Sequence, residues 1–152
     1  MKIGPTQDGR IQLSLDDKGE MQVFRTLIQD AYAENGAVAL TTRLALGGGD
    51  EDWQEFVQPE LQEQYQTEVS VVEELLNQAV AAGETVLYMS PDNARAWYSV
   101  LNQARLHLNH DHGVMEECSR LEGDGPRSHA SYRERFYVDL QSIMLDYFDF
   151  WL

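Results

Sequence analysis

The chain has 152 residues, of which 43% are hydrophobic, and this is enough to bury the core of one globular domain. Its 26 acidic and 11 basic residues give a formal net charge of −15. A surface this acidic repels the phosphates of nucleic acids and of anionic lipids, so we predict neither direct nucleic-acid binding nor membrane association.

The negative charge is concentrated in the middle of the chain. No Lys or Arg occurs between Leu44 and Ala94. The best candidate for a basic patch, Arg120 to Arg135, also contains Glu122, Asp124 and Glu134. The acidic segment is either a solvated face that keeps the protein soluble or a contact surface for a protein partner.

Cysteine usage and the N-terminal sequence bear on the compartment. A single cysteine, Cys118, has no partner for an internal disulfide, and the first ten residues lack the apolar region of a signal peptide. No stretch approaches the roughly 18 to 20 apolar residues that a membrane span needs. We therefore expect a cytoplasmic protein.

The first predicted elements are a strand and a helix. We expect residues 1–9 to form a loose N-terminus. Apolar and polar residues then alternate over Ile11–Leu15, which predicts a short strand. Asp16 or Asp17 caps a helix that ends at Asn35-Gly36. Its apolar positions form one core-facing stripe: Met21, Phe24, Leu27, Ile28 and Ala31.

The middle of the chain predicts a linker, a helix and a second strand. Ala37–Leu46 is ambiguous between a strand and a buried turn, and three glycines from Gly47 form a linker. Pro59 begins a long helix that runs to about Ala82, where Gly83 stops it. The β-branched and aromatic segment Thr85–Met89 predicts a strand that pairs with Ile11–Leu15, because an isolated strand leaves its backbone groups unsatisfied.

The helix that follows Ser90 is the most informative element. We expect Ser90 to be its N-cap, Pro91 its first residue and Asp111 about its last. On a helical wheel, one broad face holds Trp97, Val100, Leu101, Ala104 and Leu108, and the opposite side holds Tyr98 and Leu106. Apolar residues on both sides predict a helix that is buried on both sides, at the centre of the domain.

A last helix is predicted to start near Ser128 or Ser131, with a stripe at Tyr132, Phe136, Leu140, Ile143, Met144 and Tyr147. The apolar end Phe148–Leu152 either docks on the core or forms a contact surface, as in a homodimer. The predicted fold is therefore mainly α: a single domain over residues 1–152, a bundle of four to five helices with a small two-stranded sheet.

Three polar residues lie on the predicted central helix and are candidates for a ligand site: Arg95, Asn102 and Arg105. The interpretation that we favour pairs both arginines with carboxylates inside the protein. The alternative is a small-ligand or enzyme site around Arg95 and Arg105, which needs a pocket between helices.

Four residues near the end of the same helix are candidate metal ligands: His107, His110, Asp111 and His112. His107 and Asp111 are spaced to share one helix face, and imidazoles with carboxylates suit zinc or nickel. The three histidines match no established metal-site spacing, and histidines also suit a helix C-terminus electrostatically. A redox role for Cys118 is the other sensor hypothesis: Arg120 favours its thiolate, while Glu116 and Glu117 oppose it.

No catalytic motif of high specificity occurs in the chain, so we predict no catalytic residue and no cofactor. The first functional hypothesis is a non-enzymatic regulatory protein that acts through a protein partner, with the acidic Leu44–Ala94 segment and the aromatic C-terminus as contact surfaces. The second is a metal- or redox-responsive protein. The third is an enzyme or ligand-binding protein with its site at the two arginines.

The order of elements and the central helix carry a family resemblance. A Pro-Asp start is followed by Ala96-Trp97, Leu101-Asn102 and Arg105-Leu106, and the final helix ends in aromatic residues with Trp151-Leu152. In these features the chain resembles the bacterial domain-of-unknown-function family 2017 over about Ile11 to Leu152. The resemblance implies a small helical cytosolic protein without an assigned enzyme activity. It also implies, for some members, a link to stress-responsive gene regulation through protein partners.

Overall fold

In the computed structural model of the protein, the described residues form four helices and three short strands around a common core. The described residues are 1–16, 18–32, 58–112 and 126–148. In chain order the elements are β1 (Lys2–Pro5), β2 (Ile11–Ser14), α1 (Lys18–Ala31), α2 (Gln58–Ala81), β3 (Val86–Met89), α3 (Ala94–His112) and α4 (Pro126–Tyr147). The predicted mainly α single domain is confirmed. Predictions for Asn35-Gly36, Ala37–Leu46, the three glycines, Cys118 and Trp151-Leu152 lie outside the described residues.

The sheet has three antiparallel strands in the order β1-β2-β3. Leu13 lies opposite Leu87, so the predicted pairing of the second strand with the third is confirmed. The predictions of a loose N-terminus and of a two-stranded sheet are wrong, because residues 2–5 pair with β2. Period-two alternation does not find β1, since this four-residue edge strand contains Gly4 and Pro5 and pairs with β2 through its backbone.

The first helix packs the predicted stripe into the core. Val23, Phe24, Leu27 and Ala31 are buried, and Met21 and Ile28 pack against them at its margin. The face was predictable because the apolar residues of α1 recur at helical spacing with polar residues between them.

The second helix ends in a Schellman motif. Glu84 N–H donates to the Ala79 carbonyl at 3.0 Å, and Gly83 N–H donates to the Val80 carbonyl at 3.1 Å. Gly83 has a φ of +67°, a conformation that suits glycine because it lacks a Cβ. The predicted stop at Gly83 is confirmed, and β3 follows directly.

The third helix is the central element. It packs against α1, α2 and α4, and Trp97, Val100, Leu101 and Ala104 are fully buried. The predicted start at Pro91 is wrong, because residues 91–93 form a turn and α3 begins at Ala94. Ser90 and Asn93 hold that turn together: Ser90 N–H donates to Asn93 Oδ1 at 2.8 Å, and Asn93 N–H donates to Ser90 Oγ at 3.4 Å.

The fourth helix begins at Pro126, and its buried face overlaps the predicted stripe only in part. Leu140 and Met144 of that stripe are buried, and Phe136 packs against the core. Tyr132 and Tyr147, two members of the predicted stripe, are 57% and 49% exposed. Polar residues share the buried face instead. Its buried residues are Ala130, Ser131, Glu134, Tyr137, Leu140, Gln141 and Met144. A hydrophobic wheel misplaces part of the buried face of α4 because it assigns Glu134 and Gln141 to solvent.

Candidate functional site

The guanidinium of Arg105 is bound between α3 and α4. Its Nε donates to Glu134 Oε1 at 3.2 Å, and its Nη1 donates to Gln141 Oε1 at 2.6 Å. Gln141 Nε2 donates in turn to the carbonyl of Tyr98 at 3.3 Å. Glu134 and Gln141 are buried, so these contacts satisfy polar groups that water does not reach. The predicted pairing with a carboxylate inside the protein is thus observed for Arg105.

Of the other two candidate ligand residues, Arg95 lies far from that cluster and Asn102 lies one helical turn before Arg105. Arg95 is exposed at the first turn of α3, and Asn102 is half-buried. Ten residues separate Arg95 from Arg105, which corresponds to about 15 Å along a helix axis. Neither arginine lines the two cavities described below. The structure therefore does not bring the two arginines into one site, and ligand binding by these residues stays a hypothesis.

A second polar cluster, centred on Asp30 of α1, was not predicted. Arg133 of α4 donates to both Asp30 carboxylate oxygens, from Nε at 2.8 Å and from Nη2 at 3.2 Å. Tyr137 Oη donates to Asp30 Oδ2 at 2.7 Å. His107 Nδ1 of α3 lies 2.8 Å from the Asp30 carbonyl oxygen. One residue thus connects α1 to both α3 and α4.

The charge states of this second cluster follow from its surroundings. Burial raises the pKa of Tyr137 well above its ordinary value, and the Asp30 carboxylate raises it further. Burial opposes the charge of Arg133, but the hydrogen bonds and the charge of Asp30 outweigh it, so the pKa of Arg133 is also raised. Tyr137 is therefore a neutral donor and Arg133 a permanent cation. Neither exchanges a proton near neutral pH, which favours a structural role over acid–base chemistry.

Of the four candidate metal ligands, His107 is the one whose side chain the structure describes. His107 is 3% exposed, and its Nε2 has no hydrogen-bond partner in the described part of the chain. His110, Asp111 and His112 occupy the last turn of α3, but the positions of their side chains lie outside the described residues. Within the described ranges, no three His, Cys, Asp or Glu side chains come together as a metal site. Metal binding by this cluster stays a prediction.

Two open cavities lie beside the C-terminal half of α2. The larger, about 490 Å³, separates α2 from β3, and we call it the β3–α2 groove. The smaller, about 310 Å³, lies between the start of α1 and the end of α2, beside Lys18, Arg25 and Gly83. The groove is lined by Leu75, Gln78, Ala79 and Ala82 from α2, by Val86, Leu87 and Tyr88 from β3, and by Arg10, Glu84, Ser90, Asn93 and Trp97.

The surface of α2 carries the negative charge that the sequence concentrates in this region. Its 24 residues include no Lys or Arg. Glu60, Glu63 and Glu74 are exposed, and we call these three residues the acidic face. The buried side of α2 is one narrow stripe, so most of the helix surface is available to solvent. Within the described residues, no ion pair uses a carboxylate of α2.

A comparison with protein-family models identifies the family. The model of the family described as Domain of unknown function (DUF2017) matches residues 6–147. The chain belongs to the DUF2017 family. The resemblance inferred from the central helix is thus confirmed. In this DUF2017 member the match covers β2, β3 and all four helices, whereas β1 lies outside it.

This DUF2017 member matches no curated protein and no solved structure. None of the helices in the described ranges is both long enough and apolar enough to cross a membrane.

Proposed function

We propose that this chain is a non-enzymatic regulatory protein that acts in the cytoplasm, and that the acidic face of α2 binds a basic segment of a protein partner. The observation that carries the proposal is a 24-residue surface helix without a basic residue, whose exposed carboxylates have no ion-pair partner among the described residues. Such a surface attracts cationic segments and repels nucleic-acid phosphate.

The contrast between the two kinds of carboxylate in this protein supports the proposal. The side chains of Asp30 and Glu134 are largely shielded from water. Asp30 forms an ion pair with Arg133, and Glu134 forms one with Arg105. Among the described residues, the carboxylates of the acidic face form no such ion pair. Gln64 and Gln78 contact neighbouring Glu68 and Glu74 along the helix, and these contacts leave the negative charge unneutralised.

The polar clusters of the core supply a rigid support for such a surface. Arg105 and Asp30 are both engaged in hydrogen bonds and ion pairs within the protein. They hold α1, α3 and α4 in a fixed arrangement, on which α2 packs through Tyr65, Val69 and Val72. This supports a binding protein rather than an enzyme.

A charge-neutralisation experiment tests the proposal. The double variant Glu63→Gln/Glu74→Gln removes two charges from the acidic face. The matched control Asp139→Asn/Asp146→Asn removes two exposed charges from α4. Anisotropy of a labelled nine-residue peptide that alternates Lys and Val reports the affinity. We expect the first variant to bind several-fold more weakly than the control at low salt, and equal affinities would contradict the proposal.

A further inference from the structure

We propose that an extended segment of the basic partner adds to the free edge of β3 as a fourth strand of the sheet and fills the β3–α2 groove. The inference rests on the proposed function, because it assigns the binding site and the backbone conformation of that partner. Addition of an extended segment to an exposed sheet edge is a recurrent mode of peptide recognition.

The register of the sheet leaves one edge of β3 without a partner strand among the described residues. Leu15 N–H donates to the Thr85 carbonyl at 2.8 Å, just before the pairs Ser14–Val86 and Leu13–Leu87. In an antiparallel pair, the backbone N–H and C=O groups of successive residues point alternately toward the partner strand and away from it. The N–H and C=O groups of Leu87 therefore point to β2, while those of Val86 and Tyr88 point to the other edge. No described strand pairs with that edge.

The open edge borders a groove of suitable size and chemistry. Its volume, about 490 Å³, lies within the roughly 300 to 1,000 Å³ of protein ligand clefts. Leu75, Gln78 and Ala82 recur at helical spacing on the wall that faces β3. Leu87 and Trp97 are lining residues that also belong to the buried core. An incoming strand thus finds backbone partners on one side and, on the other, a helix surface that mixes the apolar Leu75 and Ala82 with the polar Gln78.

The two sides of the added strand face different surroundings. Alternate side chains point to opposite faces of a sheet. Those on the face of Leu87 enter the groove toward Leu75 and Trp97, so apolar residues fit there. Those on the face of Tyr88, which is 40% exposed, point to solvent.

The carboxylates beside the groove favour a basic occupant, whose charged residues fit the positions that face solvent. Glu74 lies one residue before the groove residue Leu75, and Glu84 is itself a lining residue. Arg10 is the only cation among the lining residues that the structure describes. Asp8 pairs with it at 2.8 Å, and its guanidinium lies 4.3 Å from the centre of the Tyr88 ring. The occupant is therefore an extended segment in which apolar and basic residues alternate.

Backbone methylation of the nine-residue Lys–Val peptide tests this inference. In an antiparallel addition, like the two existing pairings of the sheet, residues opposite Val86 and Tyr88 donate to β3, and these are the lysines. N-methylation of the lysines is expected to weaken binding about tenfold, the effect of roughly 1.4 kcal/mol of hydrogen bonding. N-methylation of the valines leaves affinity within about twofold, because their N–H groups point away from β3.

Two variants and one exchange measurement test the same edge from the side of the protein. Tyr88→Pro deletes the outward N–H without removing a bond to β2, and it is expected to weaken peptide binding about tenfold, whereas Tyr88→Ala keeps the N–H and binds. Peptide binding is expected to slow amide hydrogen exchange at Val86 and Tyr88. Circular dichroism checks the fold of each variant, and the methylated peptides require no variant.

The outcomes separate this inference from the proposed function. If both methylated peptides bind as tightly as the parent peptide, and binding still depends on Glu63 and Glu74, strand addition is overturned and the acidic-face proposal stands. If the unmodified peptide does not bind at all, both are overturned. Loss confined to the lysine-methylated peptide, with protection at Val86 and Tyr88, supports both.

Discussion

Asp30 and Arg133, 103 residues apart in the chain, form a two-point ion pair in which both carboxylate oxygens of Asp30 accept hydrogen bonds from one guanidinium. Their side chains are 11% and 21% exposed, so the pair is largely shielded from water. Tyr137 donates a third hydrogen bond to the same carboxylate. Removal of Asp30 therefore leaves the half-buried Arg133 without its carboxylate, and leaves the buried hydroxyl of Tyr137 only the Val23 carbonyl at 3.4 Å.

We expect Asp30→Ala to lower the free energy of unfolding by about 2 to 4 kcal/mol, because the cation of Arg133 loses its counter-ion and the hydroxyl of Tyr137 loses the shorter of its two hydrogen bonds. Urea denaturation monitored by circular dichroism measures the change. Asp139→Ala, at an exposed position of the same α4, is the control and should change stability by less than about 0.5 kcal/mol. Equal effects of the two substitutions would contradict a structural role for Asp30.

The Arg105 cluster predicts strong coupling between two residues. Arg105→Met leaves the buried carboxylate of Glu134 without its cation, at an expected loss of about 2 to 4 kcal/mol. The double variant Arg105→Met/Glu134→Leu removes both charges and should recover at least half of that loss, since apolar residues of similar size often replace a buried pair well. A double-mutant cycle in urea measures the coupling, and simple additivity of the two single changes would argue against the pair.

The buried tyrosines predict a loss of stability at alkaline pH. The pKa of Tyr137 is raised above its ordinary value of 10.0, chiefly by burial, so the folded state keeps a proton that the unfolded state releases. The stabilising effect is complete below about pH 10 and is lost as the pH rises above it. From pH 10 to 11 the wild type should lose about 1 kcal/mol more than Tyr137→Phe.

Two other tyrosines complete that experiment. Burial also raises the pKa of Tyr65, whose hydroxyl donates to the Ala31 carbonyl at 3.0 Å. Tyr65→Phe should therefore also reduce the loss of unfolding free energy between pH 10 and 11. Tyr132, 57% exposed, is the matched control, and Tyr132→Phe should leave the slope unchanged. A slope that responds equally to all three substitutions would contradict the assignment.

The end of α2 gives a prediction about backbone conformation alone. An added Cβ at Gly83 meets no atom within 4 Å, so only the φ of +67° opposes a side chain there. Gly83→Ala should lower the unfolding free energy by about 1 to 2 kcal/mol, and Gly83→Asn by less. Gly4 also has open space around it but lacks a positive φ, so Gly4→Ala should have little effect. Thermal melts of the three variants decide the point.

The helices whose buried face is purely apolar were predictable from the sequence. In α3, Trp97, Leu101 and Ala104 mark the buried side directly, and Tyr98 adds the second side that makes this helix central. The same logic succeeded only in part for α4: Leu140 and Met144 are buried as predicted, but Glu134 and Gln141 also face the core and Tyr132 faces solvent. Which polar residue is buried depends on a partner in another helix, and sequence periodicity contains no such information.

The candidate sites were also predictable only where the sequence itself carries the information. The sequence placed Arg105 in a paired role because carboxylates are abundant, but it did not identify Glu134 or Gln141 as the partners. It did not single out Asp30, whose place beside the buried Ala31 at the end of α1 was the available signal. The β3–α2 groove depends on which edge of β3 is free, and that edge is known only once the register is known.

The two polar clusters also determine how α4 is aligned along its own axis. A purely apolar interface tolerates a slide of one helical turn, about 5.4 Å, because one aliphatic side chain replaces another. Here the same slide would pull Arg133 away from Asp30 and Glu134 away from Arg105 at once, and four desolvated ionic or polar groups would lose their partners. The ion pairs therefore act as a pin against helix slippage, and α4 has one axial position rather than several of similar energy.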